Sequence, residues 1–482
     1  MLSFMSNMIL SPEFSATHNP VLNTCKKSIQ KYGEVRTPTA LVNRILDLFP
    51  ISIFSNQALT WLDVGAGTGQ FSVELFKRLD KGLAKIITST TNRHRHILKN
   101  MIHMIEIQPE HTAELKRIFG EDANIWTGDF LCDHAVKKPC FDCIIGNPPF
   151  NSQGVKKVPT NTTLSKRLDG KTIWPDIIRK SMLILREQGY LAMITPSLWL
   201  HKDKAKIFDL MTRYKICYIN SYTNIQTNAL FKGQAQTPTS FFLVKKTSPD
   251  GATYVYDQCN KEYVKYPIRP TYPLPVFGAR VVSQLIPFVT AFGHTPVVIS
   301  KSAGKNVTFS DIPDGSHAYP VVKTCTLVNK QPVLSVKYSN HRLPYNGEPK
   351  IILAHKMYGL PYADITGKYG VSFRDNFIIP IRTGEHTGKK GKATQKEKCN
   401  LELLVKYLSS DLAYYVYEAA KYRMRYLDRY AFELLPNILK LPNVPARINN
   451  KTLGAYFGLS LSDQKIIKDF RKHRHGKTIE PL

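Results

Sequence analysis

Two short segments carry chemistry. Ile145-Gly146-Asn147-Pro148-Pro149-Phe150 closes an apolar run, and Leu62-Asp63-Val64-Gly65-Ala66-Gly67-Thr68-Gly69 closes another. An Asn-Pro-Pro-aromatic sequence at the end of a strand sets out an amide oxygen, a carbonyl followed by a residue with no N–H, and an aromatic face. That combination makes an acceptor pocket for an NH2 group on a flat ring. The glycines of the upstream segment carry no side chain to block a ligand, so the backbone there can approach one closely. A nucleotide-like cofactor is implied, and together the two segments suit transfer of a methyl group onto an exocyclic amine.

The glycine spacing also fits a dinucleotide site. Two further acids bear on the choice. Glu106 is read as ending the next strand and Asp129 as ending the one after, so Asp63, Glu106 and Asp129 are expected along one sheet edge. One carboxylate there can accept ribose hydroxyls and another an adenine amine, whereas a pyrophosphate would be repelled. S-adenosylmethionine, with a sulfonium and no phosphate, suits such an edge.

These segments need strands and helices to hold them. Residues 31–246 alternate apolar runs with segments of helical period, the pattern of a parallel sheet covered on both faces. Strands are expected at 59–64, 102–107, 124–127, 140–145, 190–194, 216–221 and 240–244. Helices are expected at 40–49, 70–79, 111–119, 175–186 and 204–213. The fold class is therefore α/β, a doubly wound Rossmann-like domain, with ligands beyond the carboxyl ends of the strands. After Lys246 the proline-rich segment 266–275 reads as a linker, residues to about 400 read as irregular with short strands, and Leu401 to Leu435 reads as helical. The expected division is a cofactor-binding catalytic domain over 1–246 and a mixed α+β module over 247–482.

Composition narrows the partners. Lys and Arg number 66 against 37 Asp and Glu, a net charge of +29, and such an excess favours a polyanion through phosphate neutralisation. The stretch 151–171 after the aromatic contains Lys156, Lys157, Lys166 and Arg167, candidates for contacts to a nucleic-acid backbone. Eight scattered cysteines are too sparse for a disulfide scaffold and imply a reducing, cytoplasmic setting. Cys140 and Cys143 form a lone CxxC pair, and no metal site is expected. No run of about 18 apolar residues is present to span a bilayer.

With these residues on the page, the chain resembles the amino-methyltransferases of restriction-modification systems, specifically the gamma-class adenine-N6 DNA methyltransferases. The resemblance covers roughly residues 30–246. Thr37-Pro38 is similar to the segment that closes over the methionine end of the cofactor, and Asp63, Gly65, Gly67 and Gly69 match the first sheet motif. Glu106 with Ile107 matches the ribose acid and its neighbour, and Asp129 with Phe130 the adenine contacts. Thr195-Pro196 and Thr239 to Val244 match later family segments. Arg36 and Gln108 depart from the family pattern. The resemblance implies S-adenosylmethionine as cofactor, double-stranded DNA as substrate, a cognate restriction endonuclease as a possible partner, and a target adenine turned out of the duplex. Asn147 and Pro148 would accept the two N6 hydrogens, Pro149 would hold the turn, and Phe150 would stack on the base. The alternatives are cytosine N4 as the target, an RNA adenine, a protein glutamine, and a non-catalytic DNA-binding specificity protein. Pro139-Cys140 lies at a strand's start, unsuited to a cytosine-C5 enzyme, and Glu348-Pro349-Lys350 is taken as a chance match to a nuclease motif.

Overall fold

The computed structural model describes residues 35–132, 140–152, 171–235, 237–251, 253–299, 303–328, 331–355, 360–373, 376–381, 393–422 and 427–474. The chain divides into two compact units, Met1–Tyr256 and Asp257–Leu482.

In the first unit the apolar runs become strands β1 (Trp61–Val64), β2 (Ile102–Glu106), β3 (Asn124–Thr127), β4 (Phe141–Gly146), a two-residue ribbon β5 (Asn151–Ser152) and β6 (Lys171–Thr172), then β7 (Leu185–Pro196), β8 (Lys215–Tyr222), β9 (Thr239–Lys245) and β10 (Thr253–Asp257). The helices are α1 (Thr39–Leu46), α2 (Gln70–Leu83), α3 (Thr90–His96), α4 (Pro109–Phe119), α5 (Trp174–Ile184), α6 (Ile207–Met211) and α7 (Asn224–Leu230). The unit's main sheet runs β10-β8-β9-β7-β4-β1-β2-β3. β1 lies between β2 and β4 and is parallel to both. After β1 the chain builds outward to β2 and β3, then returns to place β4 on β1's other side. That reversal of strand order opens the crevice in which doubly wound sheets bind ligands.

The sheet is not wholly parallel, as the alternation suggested. β9 is antiparallel to both β7 and β8. The reason lies in the β8–β9 connection. Thr223 caps α7 immediately after β8, its side chain accepting from the Gln226 N–H in a reciprocal capping box. Seven helical residues advance only about 10 Å, against about 23 Å for a seven-residue strand. The chain therefore re-enters the sheet at the edge it left.

The strands bury both faces: β1 is buried throughout and β9 in all but its last residue. α1 contributes Leu41, Val42, Ile45 and Leu46, and α2 contributes Phe71, Leu75, Phe76 and Leu79, to a cluster with Trp61, Met104, Ile145, Phe241 and Leu243. Fully burying such side chains is worth about 1.5–3 kcal/mol each. This core fixes the strand ends that carry the site.

The second unit contains α8 (Ala279–Phe292), a long hairpin β11 (Tyr319–Val328) and β12 (Gln331–Ser339), a sheet built on β13 (Lys350–Ala354), β14 (Tyr362–Asp364) and β15 (Asn376–Pro380), and helices α9 (Gln395–Leu408), α10 (Asp411–Ala419) and α11 (Leu461–Arg474). It is more regular than the sequence suggested. α8 escapes a periodicity reading because Pro287 stands inside it. The helical stretch expected from Leu401 is broken at Ser409-Ser410, where Ser410 caps α10 by accepting from the Ala413 N–H. Among the described residues no helix is long and apolar enough to cross a membrane.

Candidate active site

The glycine turn follows β1 and the Asn-Pro-Pro turn follows β4, and these strands pair with Asp63 opposite Ile145. Residues 84 apart in sequence (147 minus 63) thus meet at one sheet edge. Gly65 (φ +69°) holds a backbone conformation that a Cβ would strain. A Cβ there would also rest 3.5 Å from Pro148 Cα. Gly146 permits a closer approach: a Cβ at that position would fall 2.4 Å from the Val64 carbonyl oxygen. Any side chain at Gly146 would push β4 off β1 just before Asn147.

Between these turns lies a cavity of about 500 Å³, within the usual range for small-molecule sites. Of the residues proposed from sequence, Thr37, Gly65, Gly67, Glu106, Ile107, Asp129, Phe130, Asn147, Pro148 and Pro149 line it. Four do not. Asp63 lies behind the wall, 1 % exposed. Pro38 begins α1, its carbonyl accepting from the N–H groups of Leu41 and Val42. Gly69 caps α2 in a left-handed conformation. Phe150 is half-buried and packs against the core. Lys156, Lys157, Lys166 and Arg167 lie outside the described residues.

Carboxylates dominate the wall. Glu106, Glu110, Glu114 and Asp129 all line it, although the chain as a whole carries +29. Glu106 ties the edge together: one oxygen accepts the Gly67 N–H at 2.8 Å and the other the Gln108 N–H at 2.9 Å. The glycine turn is thereby bound to the end of β2. Asp63 accepts the Ser72 hydroxyl at 2.7 Å, while its other oxygen is buried without a hydrogen-bond partner. Burial pushes the Asp63 carboxyl up to about 7; the Ser72 hydroxyl opposes the rise and the Glu106 carboxylate adds to it. Asp129 accepts the Leu131 N–H at 2.9 Å and the Cys132 thiol at 3.4 Å, and the Asp129 carboxylate holds that thiol above its usual range. A pyrophosphate would meet this wall with its own sign of charge. A cationic ligand with an apolar ring meets attraction, with Ile107, 43 % exposed, as an apolar surface beside it.

On the opposite wall the Asn147 amide nitrogen donates to the Thr37 hydroxyl at 2.9 Å. Sequence reasoning assigned Thr37 to the cofactor only and gave no signal for this bond. It also missed Lys180, whose ammonium stands 4.9 Å from the Phe130 ring centroid and donates to the Phe130 carbonyl. A lysine on α5 has nothing in its local sequence to announce that contact. Gly146, by contrast, was legible in principle as a glycine directly before the acceptor amide.

Residues 46–231 match the family described as Eco57I restriction-modification methylase. A protein described as an uncharacterized adenine-specific methylase from Mycoplasma pneumoniae is 41% identical over 88 residues, 17% of this chain and 21% of its own length. The chain thus spans about a fifth of the curated relative it matches. Among solved structures, the methyltransferase subunit of a type I restriction-modification system from Streptococcus thermophilus shares 16% identity over 51% of each chain, with a TM-score of 0.36. The type IIG restriction endonuclease BpuSI shares 13% identity over 92% of this chain and 61% of its own, also at 0.36. At such identities and scores these two likenesses say nothing of activity.

Proposed function

We propose that the protein is an S-adenosylmethionine-dependent DNA methyltransferase that acts on the N6 amine of adenine. The observation that carries this reading is the pairing of β1 with β4. It brings a carboxylate-walled, glycine-floored cavity and the Asn147-Pro148 acceptor pair to one crevice. The family match over residues 46–231 supports the same class, and the M. pneumoniae relative supports adenine as the base.

The residues fit the cofactor. The wall carboxylates suit a cation, with Asp63 buried behind them, and Glu106 and Asp129 offer acceptors to hydroxyl and amine groups. When bound, S-adenosylmethionine supplies an electrophilic methyl group. The chain's own task is to make a poor nucleophile reactive. An adenine amine is delocalised into its ring. The Asn147 amide oxygen and the Pro148 carbonyl, each accepting one N6 hydrogen, draw the nitrogen toward tetrahedral geometry and expose its lone pair. Pro148 and Pro149 fix the turn, so the acceptors are placed before substrate arrives. Phe150, next in the chain, supplies the aromatic face for the extruded base. Extrusion costs a few kcal/mol, and stacking returns about 1–3 kcal/mol. The basic surplus serves the DNA backbone, with Lys156, Lys157, Lys166 and Arg167 among the candidates for those contacts and residues 257–482 as the recognition unit. A restriction endonuclease acting at the same sequence is the partner expected of such an enzyme.

The test is product identity. Unmethylated double-stranded DNA incubated with the full chain and methyl-labelled S-adenosylmethionine is digested to nucleosides and weighed. N6-methyldeoxyadenosine is the expected product. N4-methyldeoxycytidine would keep the mechanism and replace the base, and an unlabelled digest would refute the reading.

A further inference from the structure

An asparagine amide can face its target with either end, and the two ends ask for opposite chemistry. Asn147 is half-buried at the end of β4, and its amide nitrogen meets two groups from the segment just before α1. It donates to Thr37 Oγ1 at 2.9 Å and points at the Val35 carbonyl oxygen at 3.4 Å, a long contact. Thr37 is 5 % exposed, so this hydroxyl is held in place and screened from bulk water. The two contacts have different logic. A hydroxyl can donate or accept, so Thr37 alone would tolerate either amide orientation. The Val35 carbonyl can only accept. Turning the amide over would set its oxygen against that carbonyl with no hydrogen between them, losing a bond and adding repulsion.

We infer that the Val35-Arg36-Thr37 segment is a positioning strap that fixes the Asn147 amide with its nitrogen held and its oxygen offered to the substrate. The inference deepens the proposed function and rests on it. The consequence is selectivity for substrate class. The oxygen end accepts a hydrogen, so the site takes an exocyclic NH2 group. It rejects a base that presents a carbonyl or a bare ring nitrogen, because either would face an acceptor. Thr37 lies 110 positions from Asn147 in sequence and is a positioning residue for the amine, besides its place in the cavity wall. Without its hydroxyl the nitrogen keeps only the long contact to Val35, which still sets the sense of the amide but holds it loosely.

The test uses the full chain as wild type, Thr37→Val and Thr37→Ser. Thr37→Val removes the acceptor at nearly constant volume, and Thr37→Ser restores it. In single-turnover methyl transfer to DNA at saturating S-adenosylmethionine, Thr37→Val should lose about tenfold to a hundredfold in rate, the size expected of a misaligned acceptor. Thr37→Ser should recover most of that rate, and because Thr37 also lines the cavity, the cofactor Kd of each variant is measured separately to set the saturating concentration. In protein labelled with 15N only at asparagine, the Asn147 side-chain NH2 signal, assigned by its loss in Asn147→Ala, should exchange slowly with solvent in wild type and Thr37→Ser and rapidly in Thr37→Val. A full rate in saturated Thr37→Val, or equal exchange in all three proteins, would overturn the strap. Wild type that methylates no DNA would instead refute the enzyme reading, and the exchange measurement would still decide the strap.

Discussion

Asp63 of the first unit and Asp364 of the second are both almost completely buried, and the two are treated in opposite ways. Asp364, 2 % exposed at the end of β14, is fully partnered. It accepts the Lys350 ammonium at 2.6 Å, the Tyr369 N–H at 3.0 Å and the Lys368 N–H at 2.9 Å. Lys350, wholly buried, also donates to the carbonyls of Tyr345 and Glu348. Every contact in that group closes on protein, and what it does is tie the loops around β13 and β14. Asp63, 1 % exposed behind the cavity, has the Ser72 hydroxyl on one oxygen and no partner on the other. A buried carboxylate left half-satisfied costs stability. Such costs collect where a site is kept ready for a ligand. The contrast sets a carboxylate that holds the fold against one left half-satisfied behind the cavity.

The largest effect expected from this contrast is on the second unit. Lys350→Met leaves Asp364 charged and buried, and should reduce unfolding free energy by about 3–5 kcal/mol. Denaturant titration reads this directly. A loss confined to a few tenths would mean that the pair ties nothing. The pH dependence of the first unit comes next. Asp63 is raised from 3.8 to about 7, so the folded state resists its ionisation. Stability is therefore highest at low pH on this account, falls as pH rises from about 4 toward 7, and levels above. The fall is worth roughly 4 kcal/mol at most for a shift of that size. Asp63→Asn should flatten it without lowering stability at pH 8, the reverse of Lys350→Met.

Binding sharpens the same comparison. S-adenosylmethionine titrated into wild type near pH 6 should release protons as a cation draws the Asp63 carboxyl into its charged form, detected in buffers of different ionisation enthalpy. Asp63→Asn should release none and, because Asp63 lies behind the wall and acts on the cation through its field alone, should bind only about threefold more weakly. Lys350→Met, where still folded, should bind as wild type does. The smallest effect is expected of Ser72→Ala, which removes the one hydroxyl on Asp63 and should cost about 1 kcal/mol of stability at pH 8.

Much of the first unit was legible because its signals are local. The apolar runs gave β1 to β4, β8 and β9 to within a residue or two, and the two turns declared themselves by glycine and proline. What stayed hidden depended on distance along the chain. The antiparallel entry of β9 is set by a capping box at Thr223 and a helix too short to cross the sheet. The Thr37–Asn147 bond and the Lys180–Phe130 contact join elements that no window spans. In the second unit, Lys350 read as one member of a chance Glu-x-Lys match, whereas its partner Asp364 stands 14 positions on. Periodicity failed at α8 because one proline, Pro287, sits inside an otherwise helical pattern.

The measurement closest to the centre of this account compares wild type with Asn147→Ala in transfer of labelled methyl groups from S-adenosylmethionine to unmethylated double-stranded DNA, with cofactor binding followed in parallel. The predicted result is label in N6-methyldeoxyadenosine for wild type, and a loss of about 10²–10³-fold in Asn147→Ala with cofactor still bound, the scale of removing one pre-placed polar group at a reacting centre. Equal labelling by the two proteins would contradict the assignment of the β4 turn as the place where the amine is held.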